Sequence, residues 1–182
     1  MSVRVSDGCP YKKRVMAYAL AAMHSPGNAA MSPLKFQPRA QPIRNELYIA
    51  CPVERVYDYV TQPDRWHEWH PTSLSADTGM RGPVPVGQRF SEEVDLLGLQ
   101  LHMDYRVLIA LPPQEFKSLF TSSLADGCLH YRLQPKGRGT LFRRTLDYSL
   151  QVAVSGLHTR LVMLSDTAMQ RLKARLEESS QQ

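Results

Sequence analysis

Leu101-His-Met-Asp-Tyr-Arg-Val-Leu-Ile109 is the stretch that decides the fold. Leu101, Met103, Tyr105, Val107 and Ile109 alternate with His102, Asp104 and Arg106, a period of two over a length that only a long half-buried strand explains. Upstream, Phe90, Glu92, Val94 and Leu96 alternate with Ser91, Glu93 and Asp95, and Leu97-Gly98 turns this run into the next. Gly79 to Gly87, with three glycines and two prolines, reads as a loop. Downstream, Leu111-Pro-Pro113 ends the long strand. Phe116, Ser118 and Phe120 mark another strand; so do Leu129, Tyr131 and Leu133, and, after a turn at Pro135 to Gly139, Phe142, Leu146, Tyr148 and Leu150. Turns this short join antiparallel neighbours, because a parallel crossover needs about a dozen residues.

The period then changes. Leu157, Leu161, Leu164, Ala168, Leu172 and Leu176 form one apolar stripe at helical spacing, with Ser155 placed as a cap. On the N-terminal side, Leu47-Tyr48-Ile49 is a short strand, and Pro52 opens a helix whose Val53, Val56, Tyr57 and Val60 share a face. Asp64-Arg-Trp-His-Glu-Trp-His-Pro71 reads as a second short helix closed by proline. The order is therefore strand, two short helices, a series of antiparallel strands, long helix. A sheet with one apolar face and a helix with one apolar stripe cover each other, which makes this a two-layer α+β domain.

Charge narrows the function. Of 22 Lys and Arg residues, seven lie in residues 1–44 beside a single acid, Asp7, so the remainder carries 15 basic and 16 acidic residues. A neutral body argues against nucleic acid, whatever the whole-chain charge of +5 suggests. Cys9, Cys51 and Cys128 are too far apart for a zinc or disulfide framework and read as reduced cytoplasmic thiols. No run approaches the roughly 20 apolar residues of a membrane span. Residues 1–42 are basic and proline-broken, and are expected to form a flexible extension to a domain at 43–182. Lys12, Lys13 and Arg14 before Val15 to Met23 outline a weak signal peptide; alternatively translation starts at Met31 and the earlier residues hold at most one helical stretch across Tyr11 to Met23.

This element order, together with Cys51-Pro-Val-Glu-Arg-Val-Tyr-Asp-Tyr-Val60 leading into Asp64 to Pro71, resembles the START-like or SRPBCC superfamily. Gly87-Gln-Arg-Phe90 and Gly139-Thr140 continue the similarity across residues 46–178, and the nearest branch is the polyketide cyclase/dehydrase and lipid-transport group. The resemblance implies a helix-grip fold, a curved antiparallel sheet of about seven strands wrapped on the C-terminal helix around a ligand cavity. It does not choose between carrying a ligand and transforming one.

Strand parity supplies the candidate lining: Phe90, Met103, Tyr105, Phe120, Tyr131, Phe142 and Tyr148, with Val94, Val107 and Leu146 in phase. Trp66 and Trp69 are placed at the mouth and Met169 along one side. Most of these pack a core in any protein. Glu92 and Arg144 differ, being charged residues in phase with apolar neighbours. Glu92 is a candidate base and Arg144 a forked cation for an anionic group, unless the two pair with each other. His67 and His70, spaced by three around Glu68, miss the zinc-protease pattern and read as solvent-facing. No nucleophile elbow, phosphate loop, metal set or cofactor motif is present in the sequence. Two functions follow: a carrier of a hydrophobic small molecule, or a cyclase/dehydratase-type enzyme. The first is preferred, and whether Glu92 and Arg144 converge without neutralising each other distinguishes them.

Overall fold

Seven strands form one antiparallel sheet: β1 (Ile43–Ile49), β2 (Ser73–Asp77), β3 (Arg89–Leu96), β4 (Leu99–Leu111), β5 (Glu115–Thr121), β6 (Ala125–Lys136) and β7 (Gly139–Leu150), in the spatial order β1-β7-β6-β5-β4-β3-β2. They are seen in a computed structural model that describes residues 40–151 and 154–178. The expected extension falls almost wholly outside those residues, as do its helical or signal-peptide stretch and the start at Met31. Ala40, which is described, packs against the core. The curved sheet, long C-terminal helix and two short helices after the first strand are those of the helix-grip fold.

Helix α1 (Val53–Val60) opens at Pro52, whose φ of −54° suits a helix entrance, and buries Val53, Val56, Tyr57 and Val60 as its spacing requires. A 3-10 helix (Pro63–Glu68) follows, again started by proline. Helix α2 (Leu157–Glu178) covers the sheet with Leu157, Ala168, Leu172 and Leu176 buried. Its first turn is closed by the Gly156 carbonyl, which accepts the Arg160 amide at 3.2 Å, so Ser155 stands one place ahead of the cap. A register shift between Val107 and Ile109 breaks the alternation at the end of β4, leaving Leu111 exposed.

On β6, which pairs with β5 on one side and β7 on the other, Gly127 lies opposite Phe120 and Tyr148. A methyl group there would run into the Phe120 ring and stand 2.5 Å from the Asp147 carbonyl oxygen. Backbone on one side and a packed ring on the other leave little room to give. Gly127→Ala is therefore expected to lower unfolding stability by about 1–3 kcal/mol in a denaturant titration, and an unchanged midpoint would contradict the packing.

Candidate functional site

Between the concave face of the sheet and the first half of α2 lies a cavity of about 120 Å³. One end is apolar: Leu96, Leu101, Leu124, Leu150, Leu157 and Leu161 supply its walls. The other end is polar, and five segments build it. His70 and Thr72 come from the chain after the 3-10 helix, Glu92 from β3, Tyr105 from β4, and the cross-strand pair Tyr131 and Arg144 from β6 and β7.

Of the expected lining residues, Trp66, Trp69, Glu92, Met103, Tyr105, Phe120, Tyr131, Arg144 and Tyr148 reach the cavity, as do Val94 and Leu146. Three expected site residues do not. Phe90 is buried against Tyr105, stacked at 4.6 Å between centroids, with the Trp66 ring on its edge at 5.6 Å. Phe142 is fully buried, opposite Leu133 and edge-on to Tyr131. Met169 lies two turns beyond Leu161 on α2, where the helix packs on solid core. Val107 is core as well. Nor do the two tryptophans form a mouth: with 4% and 1% of their surface exposed, Trp66 and Trp69 are an inner wall. Trp66 is fixed there by a 2.9 Å hydrogen bond from Nε1 to the Val60 carbonyl.

His70 corrects another expectation, because it lines the cavity instead of facing solvent. Arg144 Nη2 donates to His70 Nε2 at 3.4 Å, which leaves the imidazole proton on Nδ1, donated to Thr72 Oγ1 at 2.9 Å. Burial, and then the charges of Arg144 and Arg171, push the imidazole down to about 3, so His70 is a neutral acceptor at ordinary pH. Arg144 Nη1 donates to Ser165 Oγ at 2.7 Å; that hydroxyl donates on to Asn45 Oδ1 at 2.6 Å, and Asn45 Nδ2 to Asp166 Oδ1 at 2.9 Å. The apolar stripe passes over Ser165 because its neighbour Leu164 is apolar and also lies at helical spacing from Leu161. Leu161, Ser165, Ala168 and Leu172 are the residues at true helical spacing, and a buried serine in that phase is the same signal that singled out Glu92 and Arg144.

Glu92 and Arg144, each only 5% exposed, both reach the cavity and do not form an ion pair with each other. Glu92 Oε2 accepts the Tyr105 hydroxyl at 2.7 Å. Burial pushes the Glu92 carboxyl up to about 7, although the hydroxyls of Ser73 and Tyr105 and the charge of Arg144 favour its ionised form. The Tyr105 phenol is raised well above its ordinary value by burial and by Glu92, and Tyr131 is raised by burial, so both stay neutral donors. The site thus combines one permanent cation, one carboxyl poised near neutrality, neutral hydroxyls and an apolar chamber. Among the described residues no three His, Cys, Asp or Glu side chains gather as a metal would need.

Comparison with known proteins agrees with this geometry. Residues 41–177 match the model of the family described as polyketide cyclase / dehydrase and lipid transport. Penitrem biosynthesis cluster 1 protein I of Penicillium ochrochloron is 34% identical over 68 residues, 35% of this chain, and the chain spans 44% of that protein's length. A START superfamily protein from Mycobacterium smegmatis superposes with a TM-score of 0.64 at 15% identity, covering 78% of this chain and 99% of the other. A conserved protein from Geobacillus kaustophilus gives a TM-score of 0.64 at 13% identity, over 76% and 97% of the two chains.

Proposed function

The chain belongs to the polyketide cyclase / dehydrase and lipid transport family, and on that premise we propose that it binds a hydrophobic small molecule in the cavity between sheet and α2. The carrying observation is the chamber itself: leucines at one end, a fixed polar cluster at the other, and about 120 Å³ between them. A solid core leaves no such space, since packed interiors hold few voids larger than a water. The size suits a small aromatic molecule or a short chain, being of the same order as the roughly 150 Å³ of apolar cavity that holds benzene. A cytoplasmic setting belongs to the same proposal and is supported by the buried thiols Cys51 and Cys128; among the described residues no helix is long and apolar enough to cross a membrane.

The test is calorimetric titration with indole, a neutral aromatic probe of two fused rings. Burying about 200 Å² of it at roughly 25 cal/mol per Å² corresponds to about 5 kcal/mol, a Kd near ~0.2 mM. Saturable one-to-one binding below about 1 mM supports the reading. Absence of heat up to the solubility limit, at two temperatures, refutes it.

A second reading, acid–base catalysis, has its own support in the separation of Glu92 from Arg144. A carboxyl near neutrality can take an acidic C–H proton beside a carbonyl and return it to a leaving hydroxyl, while a cation and phenols favour the enolate oxygen. Those are the elementary steps of a ring closure or dehydration. The similarity to a protein named for penitrem biosynthesis supports placing this chemistry in the making of a natural product.

A further inference from the structure

The charge balance of the polar end narrows the ligand class, and this step rests on the binding reading above. Arg144 is almost fully buried, and its guanidinium is spent on neutral groups, Ser165 Oγ at 2.7 Å and His70 Nε2 at 3.4 Å. The Tyr131 hydroxyl is a third neutral group against it, and the Arg144 Nε meets no acceptor in good geometry. A buried cation normally sits against a carboxylate, because removing it from water costs several kcal/mol that only an anion offsets well. Here the protein brings its carboxylates near without contact. Asp166 lies three hydrogen bonds away, through Ser165 and Asn45.

We infer that the cavity's ligand carries one carboxylate, seated at the Arg144 end with its apolar body toward Leu124, Leu150 and Leu157, and that this carboxylate completes the ion pair the fold leaves open. Ser165 and His70 are positioning residues for it: they hold two corners of the guanidinium so that the charge stays in the cavity wall. A neutral ligand of the same shape forfeits the charge-assisted contact, worth roughly 10- to 100-fold in affinity.

The titratable and charged groups around the seat are Glu92 from β3, Tyr105 from β4, Tyr131 from β6, His70 before β2, and Asp166 and Arg171 from α2. His70 and both tyrosines are neutral across the ordinary range, so Glu92 is the one that changes charge near neutrality, at about 7. An arriving anion raises the Glu92 pKa further, which means that binding takes up a proton and weakens as pH climbs through 7.

The experiment compares 3-phenylpropanoate with 3-phenylpropanamide on the intact chain by calorimetry, at pH 6 and pH 8 and in two buffers of different ionisation enthalpy. Expected are a preference for the acid of roughly tenfold or more at pH 6, a smaller preference at pH 8, and net proton uptake at pH 7. Arg144→Met should bring the two affinities together, and since the wild-type comparison stands alone, misfolding of that variant does not spare the idea. Equal affinities for acid and amide in the wild type overturn the carboxylate and leave the apolar pocket standing. If neither compound binds, and indole does not, the binding reading itself has failed.

Discussion

Glu92→Gln is expected to stabilise the protein by roughly 3 kcal/mol at pH 8 and to change little at pH 4. In the folded chain burial holds the Glu92 carboxyl up to about 7, against an ordinary value of 4.5. Between those values the folded state keeps a proton that the unfolded chain has released, so stability falls as pH rises from 4.5 to 7 and stays low above it. Glutamine keeps the acceptor for Tyr105 and removes the buried charge, abolishing that slope. His70 acts in the opposite sense. Its folded value of about 3 lies below the ordinary 6.5, so across that interval the unfolded chain holds the proton and stability rises with pH. The two slopes oppose each other between 4.5 and 6.5 in the wild type, whereas Glu92→Gln leaves only the rise due to His70. Urea unfolding at pH 4, 6 and 8 reads this directly, and equal stability of variant and parent at pH 8 would show that Glu92 is not held in a site that opposes its charge.

The consequence for function follows from the same number. A carboxyl near 7 is half ionised at neutral pH, and it shares a cavity with a cation it does not contact. That arrangement costs stability and persists only where the fold enforces it, which is how binding and catalytic sites differ from ordinary core.

Why could so much of this be read from the chain? Period-two alternation assigns each side chain to a face, so Glu92 and Arg144, in phase with Phe90 and Leu146, had to point inward. Element order fixed the layers in the same way. Parity says nothing about depth along a strand, however. Phe90 and Phe142 share a face with Glu92 and Leu146, yet they lie in the half of the sheet that is solid, where α1 packs on β6 and β7 and Trp66 packs on Phe90. The cavity occupies the other half, toward the β3–β4 hairpin and the start of α2. Met169 failed for the same reason. His70 was illegible because it follows the 3-10 helix, where neither helical nor strand period says which way a side chain turns. The short strand β2 (Ser73–Asp77) alternates the wrong way round: its apolar Leu74 is exposed, while Ser73 is its one buried position.

Filling the chamber tests the central claim most directly. Met103 lines the cavity from β4, opposite Glu92 on β3, and Met103→Trp places an indole in the space that free indole would occupy. If the chamber is empty space, the larger side chain fits with a stability change of about 1 kcal/mol or less, below the usual cost of overpacking a filled core. Binding of free indole should then fall by more than ~30-fold, about 2 kcal/mol, in the calorimeter. Loss of binding at unchanged melting temperature is the predicted result. Undiminished indole affinity in a variant whose introduced ring is shown by fluorescence to be buried, or a fall in stability of about 3 kcal/mol or more, would contradict it.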